Sequence, residues 1–289
     1  MNNKYEVVDD KYEYRKIPLE TKYIYIPLSI IMDKELDTRR VATFSFMRIR
    51  CSFDDIIAFN IPDIVEWCGG KPDRRANGTN DKFLSMIDVL SDRGYITYLT
   101  EKSKSSYMKC KMNMEYYYDD CSDGYAVVYL DEIKKIMDYQ KENLKDGTLN
   151  NTTILLVFAY LRNKIFRRPN ELKPEERSSE MVQKRRERIP EAYENNINII
   201  ADELNISSKT LSKIIDILEY DLKLIVTDRA YRIKNEDNEY RTLPTIFANA
   251  YKREDRYLLV TDDNYSREEI ELKANTIQNY KINKNKRKK

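Results

Sequence analysis

The 289-residue sequence contains no histidine. The chain therefore cannot build a Ser–His or Cys–His nucleophilic pair or a histidine-ligated metal centre. Its four cysteines form no Cys-x-x-Cys pair, so no zinc-binding pattern is present and free thiols are expected. The glycine-rich phosphate-binding motifs of nucleotide motors and dinucleotide enzymes are also missing. We expect a protein with no catalytic residues, no metal site and no cofactor.

Long apolar runs are missing as well. No segment approaches the length of a membrane-spanning helix, and the N-terminal residues MNNKYEVVDD do not form the apolar stretch of a signal peptide. We therefore expect a cytoplasmic protein that does not contact a membrane. The net charge is only +2, but the last nine residues, KINKNKRKK, contain six lysines or arginines and no acid. Such a tail is either a solubilising segment or an arm that contacts nucleic acid.

One short helical pattern occurs twice, in FLSMIDVLSD (83–92) and TLSKIIDILE (210–219). Apolar residues recur at i, i+3, i+4 and i+7 in both segments, which is the spacing of one helix face. These residues are Phe83, Met86, Ile87 and Leu90 in the early copy and Leu211, Ile214, Ile215 and Leu218 in the late copy. The two copies, 128 positions apart, predict two equivalent helices.

A second helix is predicted upstream of each copy, over 61–68 and 197–204. Asn60 and Asn196 precede these segments as N-caps, and the left-handed-tolerant residues Gly69 and Asn205 follow them. Longer apolar helices are predicted before these, over 38–51 and 152–165.

Runs typical of β-strands follow each repeated helix. In the early copy they are YITYL (95–99) and the run that begins at Tyr107, and in the late copy LIVT (224–227) and YRIK (231–234). Each pair is predicted to form a hairpin. The order is that of a winged helix-turn-helix written twice, so we expect a mainly α protein with small β wings (α+β).

The predicted organisation has three parts. An N-terminal winged-helix domain with a linking helix covers 1–146, and a C-terminal winged-helix domain covers 147–262. The C-terminal domain contains a charged insertion over 167–195, and a basic tail, expected to be disordered, covers 263–289.

The turns, the repeated helices and the wings supply the candidate DNA contacts, because the start of the recognition helix enters the major groove in helix-turn-helix docking. The early candidates are Lys71, Arg74, Arg75, Thr79, Asn80, Lys82, Lys102 and Lys104. The late candidates are Ser207, Ser208, Lys209, Thr210, Ser212, Lys213, Arg229, Arg232 and Lys234. Asn80 is predicted to read adenine through its amide. The alternative is that these hydroxyl and amide groups only cap helices and that the lysines are solvated.

The chain also contains 23 tyrosines. Aromatic residues favour strands, so runs such as YIYIP (23–27) are interpreted as strand and core residues. The alternative use of such rings is to stack on the bases of single-stranded nucleic acid.

Three segments resemble a known family. YIYIPLSIIMDKELDTRRVATFSFMRIR (23–50) and FLSMIDVLSDRGYITYL (83–99) resemble helix-turn-helix modules of plasmid and phage replication proteins from low-GC Gram-positive bacteria, and TLPTIFANAY (242–251) is similar to a segment that follows their last wing. The resemblance implies a replication initiator or replisome organiser that binds double-stranded DNA, with host replication proteins as further partners. Leu222 stands where the early copy has Gly94, so the late helix is expected to end differently.

Two other functions stay open. The same modules occur in transcriptional regulators, and a winged helix can also serve as a protein-interaction module of a replisome. The prediction favours a replication initiator that reads two half-sites about 10 base pairs apart. An oligomer is compatible with this reading.

Overall fold

The computed structural model describes residues 5–7, 13–15, 22–113, 124–139, 150–165, 192–228, 232–234, 240–242 and 245–249. Backbone contacts divide the chain into two compact units. The first unit comprises Thr21–Asn163 and Glu203–Ile206, and the second comprises Met1–Glu20, Lys164–Asp202 and Ser207–Lys289. The predicted boundary near residue 146 and the predicted basic tail both lie outside the described residues.

The fold is a mixture of helices and small antiparallel sheets, as the expected α+β class requires. The elements up to residue 98 are β1 (Tyr5–Val7), β2 (Glu13–Arg15), β3 (Tyr23–Pro27), α1 (Leu28–Met32), α2 (Arg40–Ile49), β4 (Ile56–Phe59), α3 (Ile61–Trp67), α4 (Thr79–Asp92) and β5 (Ile96–Tyr98). They are followed by β6 (Met108–Met112), β7 (Tyr125–Tyr129), α5 (Leu130–Met137), α6 (Asn151–Ile165), β8 (Ala192–Asn195), α7 (Ile197–Leu204), α8 (Ser208–Asp216), β9 (Ile225–Asp228), β10 (Arg232–Lys234), β11 (Tyr240–Thr242) and β12 (Thr245–Asn249).

The first unit contains a three-stranded antiparallel sheet in the order β4–β6–β5. The predicted hairpin of β5 and β6 is confirmed, with Ile96 opposite Met112. Strand β4 was not predicted, and it pairs with the other edge of β6, with Ile56 opposite Lys111. The predicted strand over 23–27 is β3, which pairs with β7 in a separate two-stranded sheet.

The second unit contains a three-stranded antiparallel sheet with the same arrangement of strands, in the order β8–β12–β9. Its first strand, β8, comprises the last four residues of the predicted insertion 167–195, and residues 166–191 lie outside the description. In both segments, 56–112 and 192–249, a strand precedes two helices and a hairpin, and the last strand lies between the other two. The end of α7 and the turn after it, Glu203–Ile206, are grouped with the first unit.

The predicted hairpin of LIVT with YRIK is wrong. Ile225 pairs with Asn249 and Lys234 pairs with Tyr240, in one continuous register. Strands β9 and β10 therefore run along the same side of one long hairpin, and β11 and β12 form the other side. The polar residues between LIVT and YRIK indicated a turn, but the returning strand lies in the segment that contains TLPTIFANAY.

The repeated helical faces are confirmed as core. All eight apolar residues of the two copies are buried, as are Ile64 and Val65 in α3 and Ile200 and Leu204 in α7. Asn60 caps α3 by accepting a hydrogen bond from the Asp63 backbone N–H. Side-chain burial of this kind stabilises each helix against its neighbours by roughly 1.5–3 kcal/mol per large apolar residue.

Helices α4 and α8 end differently. Gly94 adopts a left-handed conformation after α4 (φ 79°), and the Tyr95 N–H donates to the Leu90 carbonyl. Helix α8 instead continues into a π-helical turn (Ile217–Asp221), and Lys223 is the left-handed residue, with φ 50°. The Leu224 N–H donates to the carbonyl of Leu218 there. The π-helical turn thus absorbs one extra residue, which allows β9 to begin where β5 begins.

Candidate nucleic-acid interface

The turn before α4 is held by Asn80. Its side chain is fully buried, its Oδ1 accepts from the Asp73 N–H at 3.0 Å, and its Nδ2 donates to the Lys104 carbonyl at 2.9 Å. The amide thus ties the turn to the wing between β5 and β6, and neither end is available for a base. The prediction that Asn80 reads adenine does not fit the structure. Its sequence position at the start of α4 gave no signal that a partner 24 residues later would engage it.

Gly78 precedes α4 and lets the turn approach that helix. A Cβ atom at this position would lie 2.6 Å from the Asp73 carbonyl oxygen and 2.8 Å from that of Arg75, so any other residue would force the backbone apart. The first residue of the helix, Thr79, is half-buried.

The wing lysines of the first unit are engaged by carboxylates of α4. Lys102 Nζ lies 2.7 Å from Asp88 Oδ1, and Lys104 Nζ lies 2.5 Å from Asp81 Oδ1. The hydrogen bond from Lys104 holds the pKa of Asp81 below its ordinary value, and the hydrogen bond to Asp88 raises the pKa of Lys102. Asp81 and Asp88 are seven residues apart and therefore share one helix face. This face, which the sequence analysis did not single out, bears acidic residues opposite the wing.

The turn over 70–78 keeps its basic residues at the surface. Lys71, Arg74 and Arg75 are exposed, as is Lys82 in the first turn of α4. Arg75 Nε lies 3.2 Å from Asp73 Oδ1, although its side chain is 90% exposed. Four of the predicted early contacts therefore lie at the surface beside the start of α4.

The start of α8 combines capping hydroxyls with exposed lysines. Ser207 is the N-cap, with its Oγ accepting from the Thr210 N–H at 3.0 Å and sharing a hydrogen bond with Thr210 Oγ1. Ser212 Oγ donates to the carbonyl of Ser208 at 2.9 Å. Three of the four predicted hydroxyl contacts thus satisfy the helix itself. Lys209 and Lys213, four residues apart on one face, are exposed.

The remaining late candidates belong to the long hairpin. Arg232 and Lys234 lie on β10, and their side chains are outside the description, as is Arg229 altogether. Their backbone positions place them on the continuation of β9, beyond the three-stranded sheet.

Within the described part of the chain, no group of three or more cysteine, aspartate or glutamate residues could hold a metal ion. Cys51, Cys68 and Cys110 are free thiols, as predicted, while Cys121 is outside the description. Burial raises the pKa of Cys68 and of Cys110 to about 12, so the reactive thiolate form is suppressed at neutral pH. Among the described helices, none is long and apolar enough to cross a membrane.

No protein-family model matches the sequence, and no characterised protein is significantly similar to it.

Proposed function

We propose that the chain binds double-stranded DNA sequence-specifically through two winged helix-turn-helix modules, one in each unit, and acts as a plasmid or phage replication initiator. The observation that carries the proposal is that both units have the same order: strand, helix, helix and hairpin, with the last strand central in the sheet. In a winged helix, the second helix of this order enters the major groove and the hairpin contacts the adjacent backbone.

The second unit has the charge that this role requires. Lys209 and Lys213 extend from the first two turns of α8, the part of a recognition helix that meets base edges. The hydroxyl of Ser207 caps the helix start, and the exposed side chains of Lys209 and Lys213 place positive charge beside it. Basic residues of β10, Arg232 and Lys234, extend this arrangement along the hairpin.

Duplex binding is tested by first selecting a bound site from a random duplex library with the full chain. Anisotropy titrations then compare the parent protein with Lys209→Ala/Lys213→Ala and with a matched variant, Lys102→Ala/Lys104→Ala. The first variant should lower affinity at least tenfold and reduce the slope of log K against log salt by about 1.8, because two phosphate contacts are lost. The Lys102→Ala/Lys104→Ala variant should change the affinity and the salt slope much less, because these lysines form ion pairs with Asp88 and Asp81.

Two results would contradict duplex binding. If the selection enriches no sequence, the chain does not bind DNA sequence-specifically. If the affinity does not change with salt concentration, the chain makes no electrostatic contact to phosphates.

A second function is favoured for the first unit by the carboxylates of α4. On this face Asp81 and Asp88 neutralise the wing lysines, so it offers phosphates no net positive charge, and this favours the use of that winged helix as a protein-interaction module of a replisome. Footprinting with Lys71→Ala/Arg74→Ala/Arg75→Ala separates the two roles. Loss of one half of the protected site supports DNA contact by the first unit, and an unchanged footprint supports a protein partner.

The replication role is supported by the resemblance of the three segments to plasmid and phage replication proteins. A plasmid-maintenance test in cells distinguishes this role from transcriptional regulation. A plasmid that lacks an origin receives the selected site, and the chain is supplied from a second replicon. Stable maintenance supports an initiator. Regulation of a promoter placed beside the same site, without maintenance of the plasmid, supports a transcriptional regulator.

A further inference from the structure

The outer face of the β4–β6–β5 sheet is exposed and chemically mixed. Alternate residues of each strand point away from the core, since Met108, Cys110 and Met112 point into it. The register aligns the outward residues in two rows, which are Ile56, Lys111 and Thr97 in one row and Ala58, Lys109 and Leu99 in the other. All six are exposed, and neither row contains an acidic residue.

The two lysines of this face differ from the wing lysines of the same unit. Lys102 and Lys104 are engaged by Asp88 and Asp81, whereas Lys109 and Lys111 form no ion pair with any residue that the structure describes. They alternate along the central strand of the sheet, about 7 Å apart. The face therefore presents two cations in line, flanked by apolar and small side chains.

Two exposed aromatic residues lie near opposite ends of β6, since Tyr107 precedes its first residue and Phe53 precedes β4, whose first residue lies opposite Lys111. Tyr107 is 69% exposed and precedes Lys109 by two residues along the same strand direction. Phe53 is fully exposed on the turn that leads into β4, a turn that the Ser52 N–H closes by donating to the Ile56 carbonyl at 2.8 Å. The exposed faces of both rings are accessible to a planar partner.

We propose that this sheet face binds single-stranded nucleic acid. Lys109 and Lys111 pair with successive phosphates along β6, and Tyr107 and Phe53 stack on unpaired bases at the two ends. The combination of cations in line with open rings distinguishes this ligand from a duplex, in which base faces are hidden in the stack. An acidic polypeptide would pair with the lysines but would leave the rings without a planar partner.

This face is separate from the duplex contacts proposed for α8, so either proposal can fail alone. The test uses the full chain and anisotropy with labelled oligo(dT), which forms no internal pairs, with oligo(rU) as a second probe. Lys109→Glu/Lys111→Glu is compared with a charge-matched variant, Lys34→Glu/Lys134→Glu, in which two exposed lysines elsewhere in the first unit are reversed. Circular dichroism melting confirms that each variant is folded.

The lysine reversal should lower oligo(dT) affinity at least tenfold and reduce the salt slope by about 1.4, as expected for two phosphates on a single strand. The matched reversal should change affinity by less than about threefold, since it removes only long-range attraction. Binding of oligo(rU) through the same residues supports the proposal equally, and the ratio of the two affinities identifies the preferred sugar.

The aromatic contact has its own variants. Tyr107→Leu should lower affinity about tenfold, and Tyr107→Phe should retain it, because stacking needs the ring and not the hydroxyl. Phe53→Leu should behave like Tyr107→Leu.

Three outcomes overturn the proposal. Equal losses in both lysine reversals would mean that only net charge acts. Unchanged affinity in Tyr107→Leu would mean that no base stacks there. Binding of poly-glutamate in place of either oligonucleotide, lost in the lysine reversal, would assign the face to an acidic protein segment.

Discussion

Helices α4 and α8 bury the same apolar pattern but differ in the charged residues on their outward faces. Phe83 and Leu211 stand at equivalent buried positions, as do Leu90 and Leu218. Outward, α4 carries Asp81 and Asp88, which engage the lysines of the wing, whereas α8 carries exposed Lys209 and Lys213. The comparison shows that core spacing determines the position of the helix, while the surface residues determine the charges that the helix presents to solvent.

Among the described residues, each unit contains one buried glutamate. Glu132 is fully buried, accepts the backbone N–H of Tyr129 and pairs with the guanidinium of Arg162. Glu219 accepts both the backbone N–H and the hydroxyl of Thr227. Removing the guanidinium from the first site leaves a buried carboxylate without the cation that pairs with it, whereas removing the Thr227 hydroxyl keeps the backbone donor to Glu219.

The largest expected effect comes from this first glutamate. Arg162→Met should lower the free energy of unfolding by about 3–5 kcal/mol, because Glu132 is then buried without its cation. Thr227→Val in the second unit should cost about 1 kcal/mol, because a backbone donor to Glu219 remains. Urea unfolding followed by circular dichroism measures both. A double variant, Arg162→Met/Glu132→Gln, should recover much of the loss, and an equally unstable double variant would show that packing and not charge is responsible.

The next largest effect on stability is expected at Asn80, since the equivalent position in the second unit is not an asparagine. Asn80→Ala should lower the free energy of unfolding by about 2–3 kcal/mol, because the Asp73 N–H and the Lys104 carbonyl lose their partner. Ser208, 128 positions later, is the matched site, and Ser208→Ala should change stability by less than about 0.5 kcal/mol. If both variants unfold at the same urea concentration as the parent protein, water replaces the Asn80 amide, and the two hydrogen bonds of Asn80 do not contribute to stability.

The charge difference between α4 and α8 can be removed directly. Asp81→Asn/Asp88→Asn keeps the oxygen acceptors but frees Lys104 and Lys102, and should raise duplex affinity by about threefold to tenfold. A variant with the same charge change elsewhere in the first unit, Asp54→Asn/Glu66→Gln, should raise it less. Anisotropy titration at two salt concentrations measures the difference. An increase that is equal in both variants would show that net charge, and not the α4 face, limits binding.

The smallest effect concerns the helix ends. Lys223 adopts a left-handed conformation that costs a residue with a side chain about 1 kcal/mol, whereas Gly94 adopts one freely. Lys223→Gly should therefore stabilise the protein by up to about 1 kcal/mol, and Gly94→Lys should destabilise it by a similar amount. Thermal unfolding measures both shifts. Shifts of the same sign would mean that Lys223 contributes more through its side chain than its backbone conformation costs.

Local signals predicted the helices well. The 3.6-residue spacing of Phe83, Met86 and Ile87 is enough to place α4, and Asn60 and Gly69 mark the ends of α3 as the structure has them. The replacement of Gly94 by Leu222 correctly indicated a different end for the late helix, although the π-helical turn itself needed the structure. Helix signals succeed because they depend on neighbours three or four residues apart.

Strand pairing was predicted only in part. Strand β4 has four residues and lies directly before α3, and it was not predicted. The late hairpin was assigned to the nearest run, YRIK, although its partner begins at Tyr240. Short strands have little signal of their own, and the identity of their partner depends on contacts distant in sequence.

The sequence by itself determined the repeat, the buried helix faces, the cap at Asn60 and the absence of histidine chemistry, because these depend on composition and on spacing along one helix. Only the tertiary structure decided which polar residues are available to a ligand. It buried Asn80 between a turn and a wing, and it placed Asp81 and Asp88 against the wing lysines. It also directed Lys109 and Lys111 outward from a sheet whose register no local pattern specifies. Burial and ion pairing join residues far apart in the chain, and so they exist only once the strands and helices have packed.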